Sequence, residues 1–155
     1  MGKRKFDDYF ITEFKFPPHP PEVVQKMERE KQAGNYTEAD ELFSLGEDVI
    51  EGSFYFTCVL LKEVKGTGSG DTTTAHSHDF DEVLVFTGTK KNDPRNLGAE
   101  IELWIEDEQY IITKSCLVFI PRGTKHCPLI FRRIDYPFYF ITAGNSSMYR
   151  MDLGK

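Results

Sequence analysis

The sequence predicts an all-β domain, a sandwich or barrel of many short strands, with a short helical extension at its N-terminal end. Three observations carry that reading. Beyond residue 47 the chain becomes dense in aromatic and β-branched residues, the types that fit a pleated, half-buried surface. Its apolar runs there are short and separated by turn residues, as in a sandwich or barrel. Before residue 47, good helix formers dominate only from Glu22 to about Ala33. The expected organisation is one structural unit in two parts: residues 1–47 as arm and helical extension, and residues 48–155 as the β domain.

Residues 1–20 form an arm that Phe6, Tyr9, Phe10, Phe14 and Phe16 make too apolar for a free tail. It is expected to lie along the body or on a partner subunit. The run Pro17-Pro18-His19-Pro20-Pro21 ends regular structure there, and His19 among the prolines reads as a packing or exposed residue. Residues 22–33 predict a helix, with Pro21 suited to the first helical position and Gly34-Asn35 as the stop. Thr37 with Asp40 has the form of a capping box opening a second short helix through Leu45, closed by Gly46.

Strands are expected at 53–61, 72–78, 82–87, 100–105, 109–113, 116–120, 127–132 and 137–142. The glycine-rich stretch 65–70 reads as a connector. A phosphate-binding loop would need Gly-Lys-Ser/Thr leading into a helix, and Thr72-Thr73-Thr74 follows instead. Residues 90–98, with Asn92-Asp93-Pro94, form a polar loop between strands.

Composition excludes several function classes. A chain of 155 residues with 39% hydrophobic and 14% aromatic content is long and apolar enough to bury a core. Its formal charge of −6 argues against a nucleic-acid binder, which needs a basic stripe to neutralise phosphates. No apolar run approaches the roughly 18 residues that cross a bilayer, so no membrane partner is expected. Basic residues at the start are followed by no signal-peptide core, and Phe6 stands where a myristoylation signal has Ser or Thr. Cys58, Cys116 and Cys127 are too scattered for a disulfide framework. A reducing, cytoplasmic setting is expected.

The chemistry concentrates in residues 74–88, where His76, Ser77, His78 and Glu82 precede an apolar run. In a strand successive side chains point to opposite faces, so His76 and His78 share one face and can aim both rings at one point. Glu82 cannot follow on the same straight strand, because four residues rise about 13 Å and metal bonds are only about 2 Å long. The chain must turn within Asp79-Phe80-Asp81, which is turn-compatible. His76, His78 and Glu82 then read as three ligands of a metal site, with His126 as a fourth candidate some fifty residues on.

Together these stretches resemble the two motifs of the cupin superfamily. Gly70-x5-His76-x-His78-x3-Glu82 is followed by Gly88, and Pro121-x-Gly123-x2-His126 comes later. The likeness spans roughly residues 50–143. In the family's usual pattern six residues lie between the Glu and the closing Gly, where Glu82 and Gly88 enclose five. Ser115 and Ile130 stand where a glycine and an asparagine usually do. None of these departures removes a ligand.

The resemblance implies an antiparallel jelly-roll barrel, also called a double-stranded β-helix, and metal ligation by His76, His78, Glu82 and His126. It also implies a homodimer whose subunits pair through sheets and exchange N-terminal arms. Three imidazoles and a carboxylate suit one divalent transition metal, whether Fe, Mn, Ni, Zn or Cu. The expected function is that of a metal-dependent enzyme acting on a small organic carboxylate or carbonyl compound, by dioxygenation, decarboxylation, isomerisation or lyase chemistry. The alternative is a small-molecule-binding or sensor protein without turnover.

Further residues complete the expectation. Tyr55, Trp104, Phe119 and Tyr139 are possible pocket residues. Cys127 follows His126 directly, so strand alternation would turn it away from the metal. Asp79 and Asp81 read as turn makers, and Glu100 and Glu102 as a solvated edge. Arg122, Lys125, Arg132 and Arg133 cluster around the second motif as solubilising surface.

Overall fold

A computed structural model describes residues 2–68 and 74–154. After a short 3-10 turn at Asp7–Tyr9 come helix α1 (Pro21–Gln32) and strands β1 (Tyr36–Leu45), β2 (Tyr55–Lys65) and β3 (Glu82–Gly88). Then follow β4 (Asn96–Ile105), β5 (Glu108–Lys114), β6 (Cys116–Ile120), β7 (His126–Ile134) and β8 (Phe138–Gly144). Five strands form one sheet in the order β1-β2-β8-β3-β6, and three form a second in the order β5-β4-β7. Neighbouring strands in both sheets run antiparallel. This is the jelly-roll arrangement, seven of whose strands fall where the apolar runs predict them.

Alternation builds the core between the sheets. Along β3, Glu82, Leu84 and Phe86 are buried while Val83 and Val85 are half-buried. Opposite them, Leu97, Ile101 and Leu103 of β4 are no more than 1% exposed, as is Phe138 of β8. Each such side chain contributes about 1.5–3 kcal/mol on leaving water. Aromatic contacts knit the core: Phe86 stacks on its cross-strand neighbour Phe140 with ring centres 5.1 Å apart, and Phe131 of β7 meets Phe138 across the two sheets at 6.1 Å.

Residues 36–45, expected as a second helix, form β1 instead. They pair with β2 from Tyr36↔Lys65 to Leu45↔Phe56, with two irregularities in register. A capping box is worth about 1 kcal/mol. A ladder along the apolar edge of β2 satisfies many more backbone groups, so tertiary pairing outweighs the local signal. Helix α1 forms as expected, and Gly34, at φ 83, ends it in a conformation that glycine adopts without strain.

The expected strand 72–78 is different as well. Gly70, Thr72 and Thr73 lie outside the described residues. His76 and Ser77 make single bridges, to His126 and Asp152, rather than a continuous ladder. Ser115, in the motif's glycine position, joins neighbouring segments: its hydroxyl donates to the Pro94 carbonyl at 2.6 Å and accepts from the Gly88 N–H at 2.8 Å. Glu102, expected in solvent, is buried. It accepts from Trp104 Nε1 at 2.6 Å and from Arg132 Nε at 2.7 Å, which supplies the partners a buried carboxylate requires.

Candidate metal centre

Local geometry brings the two histidine stretches together. The His76 N–H donates to the His126 carbonyl at 3.0 Å and the His126 N–H to the His76 carbonyl at 2.8 Å. One residue pair thus joins segments fifty positions apart. The chain bends after His78, as the spacing requires, and β3 begins with Glu82 pointing into the core. Asp81 fastens the bend. It accepts from the Arg122 backbone N–H at 2.9 Å, from the Arg122 guanidinium, and from Asn145 Nδ2 at 3.1 Å. The Arg122 side-chain bond is the main reason the Asp81 carboxyl is held at about 2. Among the described contacts Asp81 touches no histidine ring, so its part is to hold the turn.

His76, His78, Glu82 and His126 are each no more than 5% exposed. The Nε2 atoms of His76 and His78 lie 3.2 Å apart, and Glu82 Oε2 is 3.1 Å from both His78 Nε2 and His126 Nε2. The opposite ring nitrogens all meet backbone carbonyls: His76 Nδ1 donates to Thr74 at 2.6 Å, His78 Nδ1 to Arg150 at 2.5 Å and His126 Nδ1 to Thr124 at 3.0 Å. A carbonyl oxygen only accepts, so each Nδ1 carries the proton. Each neutral ring therefore turns its Nε2 lone pair inward.

Three lone pairs and a carboxylate facing one point repel one another unless a cation lies between them. Imidazole orientation by an outer hydrogen bond is the usual support of a metal-binding histidine. Two sets of donor atoms close enough to share an ion are His78, Glu82 and His126, and His76, His126 and Cys127, each within 4.8 Å of one another. The residues present therefore fit a metal ion.

Electrostatics agree with the ligand protonation states. Burial pushes the His76 imidazolium down to about 4, aided by the charges of His126 and His78 and opposed by the Thr74 carbonyl. Burial works to raise the Glu82 carboxyl, but the His126 and His78 rings that face it outweigh burial and hold it at about 2. Neutral imidazole and ionised carboxylate are the forms that ligate.

A cavity of about 270 Å³ opens beside the cluster. His76, Glu82 and His126 border it, while His78 lies behind, stacked on Phe80 with ring centres 4.6 Å apart. Tyr55 lines it from β2. The other three expected pocket residues stand elsewhere. Phe119 is 58% exposed on the far face of β6, opposite Val83, and Tyr139 is exposed opposite Leu60 and Thr87. Trp104 turns to Glu102. Period-two alternation decides this facing, and it depends on a register that the sequence does not reveal.

Four features were not read from the sequence. Cys127 does not turn away: its φ of 73 breaks the alternation after His126, and its buried side chain lines the cavity. Burial first, and then the Glu82 charge, raise its thiol pKa. Tyr149, in the C-terminal segment, donates to His76 Nε2 at 3.4 Å. Burial keeps its hydroxyl protonated well above the usual range. That same segment supplies the Arg150 carbonyl to His78 and bridges Ser77 through Asp152. His19, finally, lines the cavity, stacked between Phe16 and Tyr149 at 4.8 and 5.2 Å.

Fold and cluster define a class: a jelly roll with three histidines and a glutamate in its interior. No protein-family model and no curated protein matches the chain. Solved structures do. The chain is similar to a recombinant oxalate oxidase in complex with glycolate, at 15% identity and a TM-score of 0.51, over 94% of this chain and 63% of that one. It therefore spans somewhat under two thirds of that protein's length. Fainter likenesses are to the polyketide cyclase RemF from Streptomyces resistomycificus and to a cupin 2 domain-containing protein from Halorhodospira halophila. The first has 16% identity and a TM-score of 0.48, over 98% of this chain and 84% of that one. The second has 18% identity and a TM-score of 0.46, over 77% and 71%. At these identities the similarity is one of fold alone.

Proposed function

We propose that this protein is a metal-dependent cupin enzyme acting on a small organic carboxylate or carbonyl compound. His76, His78, Glu82 and His126 hold one divalent transition metal. The observation that carries the proposal is the cluster of three Nε2 atoms, fixed by three Nδ1–H bonds to carbonyls: those of His78 and His126 meet buried Glu82 at 3.1 Å, and that of His76 lies 3.2 Å from His78, beside a cavity. When bound, the ion polarises a coordinated oxygen or lowers the pKa of a coordinated water.

The chain's own residues orient and enclose. Tyr149, kept neutral by burial, places its hydroxyl beside the cluster, 3.4 Å from His76 Nε2. Phe80 and the Arg150 carbonyl hold the His78 ring from behind. Phe14, Phe16 and His19 of the arm line the cavity together with Met27 of α1. The arm is tied down where Lys15 N–H donates to Ser44 Oγ at 2.8 Å.

Two further readings belong with this one. Leu117 and Phe119 are 59% and 58% exposed on the outer face of the five-stranded sheet, an apolar surface suited to a homodimer. Three free thiols suit a reducing, cytoplasmic setting.

Elemental analysis of protein purified without a metal-chelating tag tests the proposal. About one transition metal per chain is expected, and none in a His76→Ala/His78→Ala double variant. Metal retained by the double variant would sink the ligand assignment. Conversion of a carbonyl and carboxylate panel, with and without oxygen, separates enzyme from binder.

A further inference from the structure

Resting on that metal reading, we infer that the site takes an uncharged or singly charged chelating compound, such as a 1,3-dicarbonyl, carrying an apolar body. It discriminates against dicarboxylates. The first support is a charge census. Among the described residues lining the cavity there is no lysine or arginine; the charged groups there are carboxylates, Glu82 at the inner end and exposed Glu41 at the mouth. The nearby arginines are occupied elsewhere. Arg122 pairs with Asp81, Arg132 with Glu102, and Arg133 with Asp135 and Glu100, and none of the three lines the cavity.

Charge balance then limits the ligand. A divalent ion with the Glu82 carboxylate leaves one positive charge, which a singly charged chelate cancels. A dianion would leave a buried negative charge with no cation from the wall to meet it, and burying an unpaired charge is strongly unfavourable.

The wall selects the rest of the molecule. Val59, Leu61, Leu84, Leu129, Phe131 and Phe140 present apolar surface, which rewards a hydrocarbon body in proportion to the area it covers. Beside the cluster, Tyr55 OH bonds Thr142 Oγ1, which is 2.7 Å from Thr57 Oγ1. Three hydroxyls joined by two bonds spend two protons and leave one to donate. An uncharged carbonyl oxygen is a fitting acceptor. A volume of about 270 Å³ sits near the small end of organic-ligand pockets, which begin at roughly 300 Å³.

Three probes separate head from body: malonate, 2,4-pentanedione and 1-phenylbutane-1,3-dione. The first two share a chelating skeleton and differ in charge, and the last two share a head and differ in body. Calorimetric titration of the metal-bearing protein is expected to show malonate weaker than 2,4-pentanedione, and the phenyl compound tighter by about tenfold or more. Phe14→Ala, on the arm and outside both sheets, is expected to narrow the ratio between the two diketones.

Malonate binding as tightly as 2,4-pentanedione in protein that carries its metal would overturn the inference and leave the metal site standing. So would a phenyl group that brings no gain, or a ratio unmoved by Phe14→Ala. Protein that neither carries nor takes up a divalent metal, and binds no diketone, would overturn the metal reading and this inference together.

Discussion

Acidification of the metal-free protein gives the sharpest quantitative check on the cluster. Burial takes the His76 imidazolium from 6.5 to about 4, so the unfolded chain binds a proton through that interval while the folded chain does not. Stability contributed by the neutral ring is therefore present above pH 6.5 and is lost as the pH falls toward 4. At about 1.4 kcal/mol for each pKa unit the loss is roughly 3 kcal/mol. In a domain of this size 1 kcal/mol moves the melting temperature by about 2–4 °C, so a fall of about 6–12 °C is expected from this group.

Other groups titrate too, including His19, whose imidazolium burial also lowers. The measurement is therefore a difference. Thermal unfolding of EDTA-treated wild type and His76→Gln is followed by circular dichroism at pH 7, 6, 5 and 4. The wild type is expected to lose the additional 6–12 °C, and the variant to lack that component. Parallel curves would refute the reasoning that a buried neutral His76 is held in the fold.

Restoring the metal acts in the opposite direction. Adding a divalent ion to about one hundred times its dissociation constant stabilises by about 2.7 kcal/mol. The melting temperature of EDTA-treated protein should rise by about 5–11 °C, and that of His126→Ala should not. Phe86, fully buried between Phe138 and Phe140, should cost about 3–5 kcal/mol in urea denaturation when changed to alanine. Gly144 is a tight approach: a Cβ there would lie 2.5 Å from Phe80 Cε2, and Phe80 backs His78. Gly144→Ala should therefore weaken metal affinity, measured by competition with a chromophoric chelator, by about tenfold.

How much could be read in advance follows from which signals are local. The strands announced themselves by short apolar runs, and the ligand residues by their order and by the turn that Glu82 demands after His78. In β1, Thr37 and Asp40 imitate a helix start, while the reason for the strand lies in β2, which only pairing brings alongside. Cys127 departs from strand alternation because a positive φ breaks it at one residue, and that φ carries no sequence signal in a cysteine. Tyr149 and the Arg150 carbonyl reach the site from a C-terminal segment of ordinary composition, docked by the Ser77–Asp152 bridge. Pocket facing at Phe119 and Tyr139 depended on register, where a shift of one residue exchanges the two faces.

X-ray absorption at the edge of the bound metal tests the centre most directly, since it reports the ligand atoms themselves. Nitrogen and oxygen ligands at about 2.0–2.2 Å, with the outer scattering of three imidazole rings, are expected from His76, His78, His126 and Glu82. Sulfur at about 2.3 Å, which among the described residues of the cluster Cys127 could supply, or scattering from fewer than three imidazoles, would contradict the assignment.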